Sequence, residues 1–498
     1  MLDSHSRYPG AQPFSDDELS RKTFFGRERE SADLANKILA NRLVVVYAKS
    51  GLGKTSLLNA GVAQRLRSEK YLPLIVRVND VQRGPFTSVL AGIRTAAERQ
   101  MVEYVPGSQA SPWHFFKTAE FWQGDLLLTP VLILDQFEEL FTLQSAERRA
   151  AFLSDLGSLV RCVPPSTTPQ TNLDATKSGD LRNELTDTPP ALRIVLSLRE
   201  DYLGFLEEAT DWIPQILDHR FRLTPLSVEA AAEALTGPAG IEDNALRTKP
   251  FSYDPETVST IINHLSRRST YLTSPTARSV EPFQLQVICQ RIERIAAERQ
   301  QRAGNALILT MTEIGGEVAL KATLQDFYKQ ELSALPSRRQ RRAVRRLCEE
   351  HLISPEGRRL SLEENEIHRQ LKLSCETLGK LVDRRLLRSD QRADSIYYEL
   401  SHDTLVEPVL ATSRARRKLM GTLVVISGTL LLGLALILGG IFVLALFAST
   451  FSSKSSSNEA GIIIAFILIM IASGNLFVVG VSLFRSGIRT LRRYRSRS

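Results

Sequence analysis

Apolar residues along this chain fall into three patterns, and each predicts a different kind of element. Short apolar runs with β-branched residues occur at Val44–Ala48 and Val131–Leu134, and a third apolar strand, interrupted by Arg193 and Ser197, at Leu192–Leu198; each stops abruptly at a polar or charged position. Runs of this length predict strands buried on both faces, as in a parallel sheet flanked by helices. Helical signals replace them in "LSVEAAAEALTGPA" (226–239), which has a Ser at a cap position and a Gly-Pro stop, and in the amphipathic "EPFQLQVICQRIERIAAER" (281–299). The third pattern is continuous: no charged residue stands between Leu419 and Ser453, nor between Ala460 and Phe484. Each stretch exceeds the roughly 20 apolar residues that cross a bilayer, so spans are predicted at about 420–447 and 460–484.

The pattern divides the chain. A leader (1–30) precedes an α/β core with a parallel sheet (31–225), interrupted by a flexible Pro-, Thr- and Asp-rich insertion at 163–190. Residues 226–334 read as a helical lid. Residues 335–412, where short helices lead into a polar turn and a strand, suit a winged helix, and 413–498 form the membrane hairpin.

The strand ends carry the chemistry. In "VVVYAKSGLGKTSLLNAG" (44–61) a strand breaks into a Gly-bearing loop and then a helix. Gly51 and Gly53 let consecutive backbone N–H groups turn inward on an anion, and the helix opening near Lys54 adds its positive end. The segment from Ser50 through Gly51, Gly53, Lys54, Thr55 and Ser56 is thus a P-loop, with Lys54 reaching the β/γ-phosphates and Thr55 ligating Mg²⁺. Ala48 replaces the Gly that usually opens the motif, at a position needing little side-chain room. In "PVLILDQFEELF" (130–141) a buried run delivers Asp135 to the sheet edge for the Mg²⁺ shell, and Glu138 or Glu139 to orient the attacking water. Arg199, closing "LRIVLSLR", is either a sensor of γ-phosphate charge or a solvated strand end.

Charge adds topology. Arg414, Arg416, Arg417 and Lys418 precede the first span, while Arg485, Arg489, Arg492, Arg493, Arg495 and Arg497 follow the second. These cations outnumber the net charge of +8, so the basic balance is a membrane signal, and both termini with the NTPase face the cytoplasm. The basic segment "SRRQRRAVRR" (337–346) spreads its charge around a helix without interleaved aromatics, which reads as a solvated or headgroup-facing surface in preference to a DNA contact. Nucleic acid is therefore not expected as a partner. Cys162, Cys289, Cys348 and Cys375 are too scattered for a zinc site or a disulfide framework, and "MLDSHSRYPG" has no apolar core for a secretory signal. No nucleophile–base pairing appears outside the P-loop region, which sets aside a small-substrate enzyme.

"RYPGAQPFSDDELSRKTFFGRERE" (7–30), followed by the P-loop, "VLILDQFEELF", "VLSLREDYL" and "FRLTPLSVEAAAEAL", resembles the bacterial branch of the STAND NTPases, relatives of the AAA+ and NACHT switches. The resemblance implies slow ATP hydrolysis in a switch that rests as a closed, ADP-bound monomer and opens on a trigger to exchange ADP for ATP and oligomerise. It further implies Phe25, Gly26 and Arg27 beside the adenine, and His402 of "SHD" reading bound ADP, though a His at an apolar strand end also serves structure alone. The hairpin is either an effector in antiphage defence or cell death, gathering in the lipid through small residues such as Gly433 and Gly440, or an anchor for a signalling ATPase. The trigger is open: a phage protein, a cellular partner or membrane stress.

Overall fold

The structure is a computed structural model describing residues 5–80, 84–109, 111–165, 188–266, 278–303, 307–392, 395–451 and 475–486. Two compact units are present, Met1–Val406 and Glu407–Ser498.

The first unit is built on a five-stranded sheet. Its strands are β1 (Leu43–Ala48), β2 (Tyr71–Val76), β6 (Thr129–Asp135), β7 (Arg193–Arg199) and β8 (Arg220–Arg222), in the order β2-β6-β7-β1-β8 and parallel throughout. Between β2 and β6 lies a small antiparallel sheet of β3 (Glu103–Val105), β4 (Glu120–Gln123) and β5 (Leu126–Leu127). The unbroken apolar runs have a direct cause. Val44, Val46, Val131, Ile133 and Val195 pack into one core, while Val45, Leu132, Leu134, Ile194 and Leu196 pack into another on the opposite face. Successive residues of each strand therefore enter different cores, so the strand centres are apolar on both faces.

Register aligns the strand ends. Ala48 pairs with Arg199 and Asp135 with Ser197, so the P-loop, the carboxylate and the arginine emerge together at the C-terminal edge. One strand, β7, separates β1 from β6.

Helices Val228–Thr236, Pro255–Ser266, Pro282–Ala303 and Gly316–Ser333 fill the region read as helical. It also contains a parallel pair, β9 (Phe251–Tyr253) and β10 (Leu307–Leu309). Strands of three residues carry no readable periodicity, which is why the sequence pattern shows neither this pair nor β3–β5. Further on, helices Arg338–Arg346, Glu364–Leu371 and Cys375–Asp383 accompany an antiparallel sheet of β11 (Leu362–Glu363), β12 (Leu387–Arg392) and β13 (Ser395–Leu400), ordered β11-β13-β12. In the basic helix Arg338–Arg346 only Val344 is buried. Of the insertion at 163–190, residues 166–187 lie outside the described residues.

The leader is threaded into the helical region. Arg7 and Tyr8 are fully buried there, with Arg7 donating to the carbonyls of Pro238 (2.7 Å), Ile241 (2.6 Å) and Thr248, and to Thr248 Oγ1 (2.7 Å). The Tyr8 hydroxyl donates to the Leu235 carbonyl.

The second unit holds most of the long helix Val406–Phe451; the segment Asp403–Ile441 contains an 18-residue window of mean hydropathy 2.4 and is long and apolar enough to cross a membrane. Only the end of the second predicted span is described, as helix Asn475–Ser486; the rest of 460–484, the link 452–459 and the tail carrying Arg489 to Arg497 lie outside the described residues. The two helices approach through glycines: a Cβ on Gly428 would stand 2.7 Å from Phe484 N and 3.0 Å from the Gly480 carbonyl.

Arg7→Met keeps the apolar stem but strands three buried carbonyls, which costs about 3 kcal/mol or more in total. Thermal unfolding of the detergent-solubilised chain is expected to shift downward by several degrees, and an unchanged midpoint would contradict the role given to Arg7.

Candidate functional site

The loop after β1 turns at two left-handed glycines, Gly51 (φ +87°) and Gly53 (φ +89°). Around a Cβ on Gly53 there is open space, so that glycine answers to the backbone angle alone. The chain then runs helically from Lys54 to Ser68, loosened into a π-helix over Leu57–Val62 and anchored by buried Leu57, Leu58, Val62 and Leu66. Lys54 is half-buried, and its described hydrogen bond is a long one of 3.4 Å to the Ala48 carbonyl. Burial pushes its ammonium below the usual lysine range, against the pull of Glu138 and Asp135.

Asp135 is held at both oxygens. Thr55 Oγ1 donates to Oδ2 and Ser197 Oγ to Oδ1, each at 2.8 Å. These bonds tie together the first turn of the P-loop helix, β6 and β7. Ser197 escaped the sequence reading because it is one polar residue inside an apolar strand, and only the β6–β7 register reveals its partner.

The two glutamates occupy different settings. Glu138 accepts the backbone N–H of Arg199 at 3.2 Å and lies in the field of Lys54 and Asp135, while burial raises it above the usual carboxylate range. Glu139 is pushed up to about 8 by burial, opposed by Arg77, and one of its buried carboxyl oxygens has no partner among the described residues. The Arg199 guanidinium pairs with Asp201 and lies 5.2 Å from the Tyr202 ring centroid.

The leader contributes structure around the loop. Gly26 (φ +79°) allows an approach in which a Cβ would meet the Ala230 carbonyl at 2.2 Å, and Phe25 packs against Gly237. Arg27 is buried, pairs with Glu30 and donates to the carbonyls of Thr224 (2.8 Å) and Leu52 (3.4 Å), clamping the P-loop to the chain leaving β8. Phe14, which the sequence reading passed over, donates its N–H to Ser56 Oγ (3.2 Å), accepts from Asn59 (2.9 Å) and meets Phe24 edge-on at 5.1 Å.

A second element reaches the loop from the other end of the unit. Ser50 Oγ donates to the Ser401 carbonyl at 3.3 Å, and a Cβ on Gly51 would stand 2.5 Å from His402 Nδ1. The His402 ring stacks on Phe283 with centroids 3.8 Å apart. Burial, reinforced by Arg359, Arg388 and Arg385, pushes this imidazole down to about 3, so it is neutral at physiological pH.

Together these groups enclose a cavity of about 540 Å³, within the range that holds a cofactor-sized ligand. Gly10–Phe14 and Phe24–Phe25 line one side, the P-loop and Asp135 the floor, and Arg385, Arg388, Ser401 and His402 the roof. Lys54, Arg77, Arg199, Arg385 and Arg388 face Asp135, Glu138 and Glu139 across it, a balance that leaves positive charge for an anion. The cavity fits a nucleotide: a glycine-turned loop, a half-buried lysine lacking a close acceptor, and the aromatic rings of Phe14, Phe24 and Phe25 in its lining. No cluster of three His, Cys, Asp or Glu side chains suited to a metal occurs among the described residues.

Comparison with solved structures finds the Aeropyrum pernix ORC2 protein in ADPNP–ADP complexes (16% identity, 78% of this chain and 94% of that one, TM-score 0.38). It also finds the Walker-type ATPase of Pyrococcus abyssi (14%, 80% and 98%, TM-score 0.37) and Cdc6p of Pyrobaculum aerophilum (13%, 78% and 94%, TM-score 0.33). No curated protein matches the chain. Residues 8–408 match the family described as Novel STAND NTPase 1, a span running from the buried leader to just beyond His402. The chain belongs to the Novel STAND NTPase 1 family and is a nucleotide-binding P-loop NTPase.

Proposed function

We propose that this NTPase is a membrane-anchored switch worked by ATP and ADP with Mg²⁺. The observation that carries the reading is the seat of Ser401 and His402 directly on the phosphate loop, through Ser50 and Gly51. It supports a closed resting form in which residues 335–412, a winged helix in this reading, lie against whatever the loop holds. Because the seat and the phosphates share one surface, a change of phosphate occupancy alters the stability of closure, which is the physical requirement for a switch. His402, being neutral, acts there as a hydrogen-bonding group and not as a charge.

In this reading Thr55 and Asp135 would hold Mg²⁺, which would neutralise phosphate charge when bound. Lys54 and the loop amides position the phosphates. Glu138 orients the attacking water, since it stands in the field of Lys54, Asp135 and Arg199, whereas Glu139 stays protonated near neutral pH beside Arg77. Arg199 serves the γ-phosphate after leaving Asp201. Phe25, Gly26 and Arg27 support the adenine end.

Helix Val406–Phe451 contains the first membrane span, at about 420–447, and the glycine approach of Asn475–Ser486 supports a second. The basic flanks orient both termini to the cytoplasmic side of the inner membrane. On a trigger, a phage or cellular protein, the NTPase opens, oligomerises and gathers its hairpins to disrupt the membrane, as an antiphage defence. The scarcity of polar residues in the spans favours a second reading, in which the hairpin is only an anchor.

Lys54→Ala is expected to abolish binding of labelled ATP, and wild-type affinity in that variant would remove the site. Glu138→Gln is expected to bind ATP normally, hydrolyse it at least about a hundredfold more slowly and accumulate as an oligomer on size exclusion with ATP, while Glu139→Gln leaves turnover within a few-fold. The opposite ranking would reassign the base. Deleting residues 419–498 is expected to leave nucleotide-dependent assembly intact while ending uptake of an impermeant dye by expressing cells. Dye entry that returns with an unrelated two-span anchor would establish the anchor reading.

A further inference from the structure

Two cations in the cavity are left unexplained by the P-loop. Arg77 follows β2, on the far side of β6 from the loop strand; Arg385 follows helix Cys375–Asp383, just before β12. Both line the cavity. Neither side chain makes a hydrogen bond or contact ion pair with any described residue, and Arg385 Nε is buried without a partner. The charge of Arg77 adds to burial in pushing the Arg385 guanidinium below its usual range, against the opposing pull of Asp135 and Asp383. Arg385 also adopts a left-handed backbone (φ +60°), uncommon for a residue with a long side chain, and its carbonyl accepts from the Ser401 hydroxyl beside the His402 seat. Neither guanidinium is in contact with a described carboxylate, so both remain available to an anion in the cavity they line.

We propose that Arg77 and Arg385 form a two-pronged site for the outermost phosphate of a bound nucleoside triphosphate, one prong from the sheet and the other from the region that closes over it. The proposal rests on the nucleotide reading of the cavity. The wall that presents Arg77 also presents Asp135, Glu138 and Glu139, and a water attacking the outermost phosphate must be oriented by carboxylates on that wall. The inner phosphates already have the loop amides and Lys54. Planar guanidinium groups suit the remaining oxygens, and they match the charge that spreads over the outermost phosphate as its bond breaks. In their closed position residues 335–412 present Arg385 to the triphosphate, so re-closure after assembly completes the hydrolytic site and hydrolysis returns the switch to its closed diphosphate state.

The test uses the detergent-solubilised full chain with Mg-ATP and Mg-ADP. Arg385→Gln and Arg77→Gln are each expected to weaken ATP binding by about tenfold or more, with ADP binding changed less than about threefold, and to slow single-turnover hydrolysis by a comparable or larger factor. Arg385→Lys, which keeps the charge but not the fork, is expected to recover part of the ATP affinity. Equal weakening of ATP and ADP would mean a structural role and overturn the proposal, as would unchanged binding and turnover in both Gln variants. A Lys54→Ala chain that still bound both nucleotides would instead refute the nucleotide reading itself.

Discussion

Everything at the cavity hangs on the fixing of Asp135. A carboxylate only 2% exposed is acceptable at a strand end because Thr55 and Ser197 each donate to one of its oxygens. Those two bonds join three strand ends: Thr55 follows β1, Asp135 ends β6 and Ser197 lies in β7 between them. The parallel register that aligns them depends on apolar packing of both sheet faces, so the electrostatics of the site rest on the core beneath it. The same alignment brings Glu138 to the Arg199 backbone and sets Lys54 among buried groups that leave its charge only partly answered.

Around that floor the cavity is assembled from distant parts of the chain. The leader buries Arg7 and Tyr8 in the helical region, then passes Phe14 along the first turns of the P-loop helix and clamps the loop with Arg27. Residues 385–402 arrive from the opposite end and supply a roof rich in cations. Floor, side and roof thus belong to separate stretches that meet around one cavity.

The central strands and the P-loop were legible because two-faced burial leaves unbroken apolar runs and because left-handed turns demand glycine. Lys54, Thr55 and Asp135 could be read for the same reason: each sits at a fixed offset from such a run. Ser197, Phe14, Arg77 and Arg385 were not, since each gains its place from register or tertiary packing that leaves no local pattern. The three-residue strands β9 and β10 escaped because they are shorter than any period. In the second unit, the uncharged run from Leu419 onward announced the apolar part of helix Val406–Phe451, while most of the second predicted span lies outside the described residues.

The central claim is that residues 401–402 rest on the phosphate loop in a nucleotide-dependent way. Hydrogen–deuterium exchange of the solubilised chain across residues 395–405, with and without saturating Mg-ADP, measures that seat directly. Exchange slowed by about tenfold or more when the nucleotide is bound is the result this account predicts. Identical exchange in the two conditions, with ADP binding verified in the same sample, would contradict it.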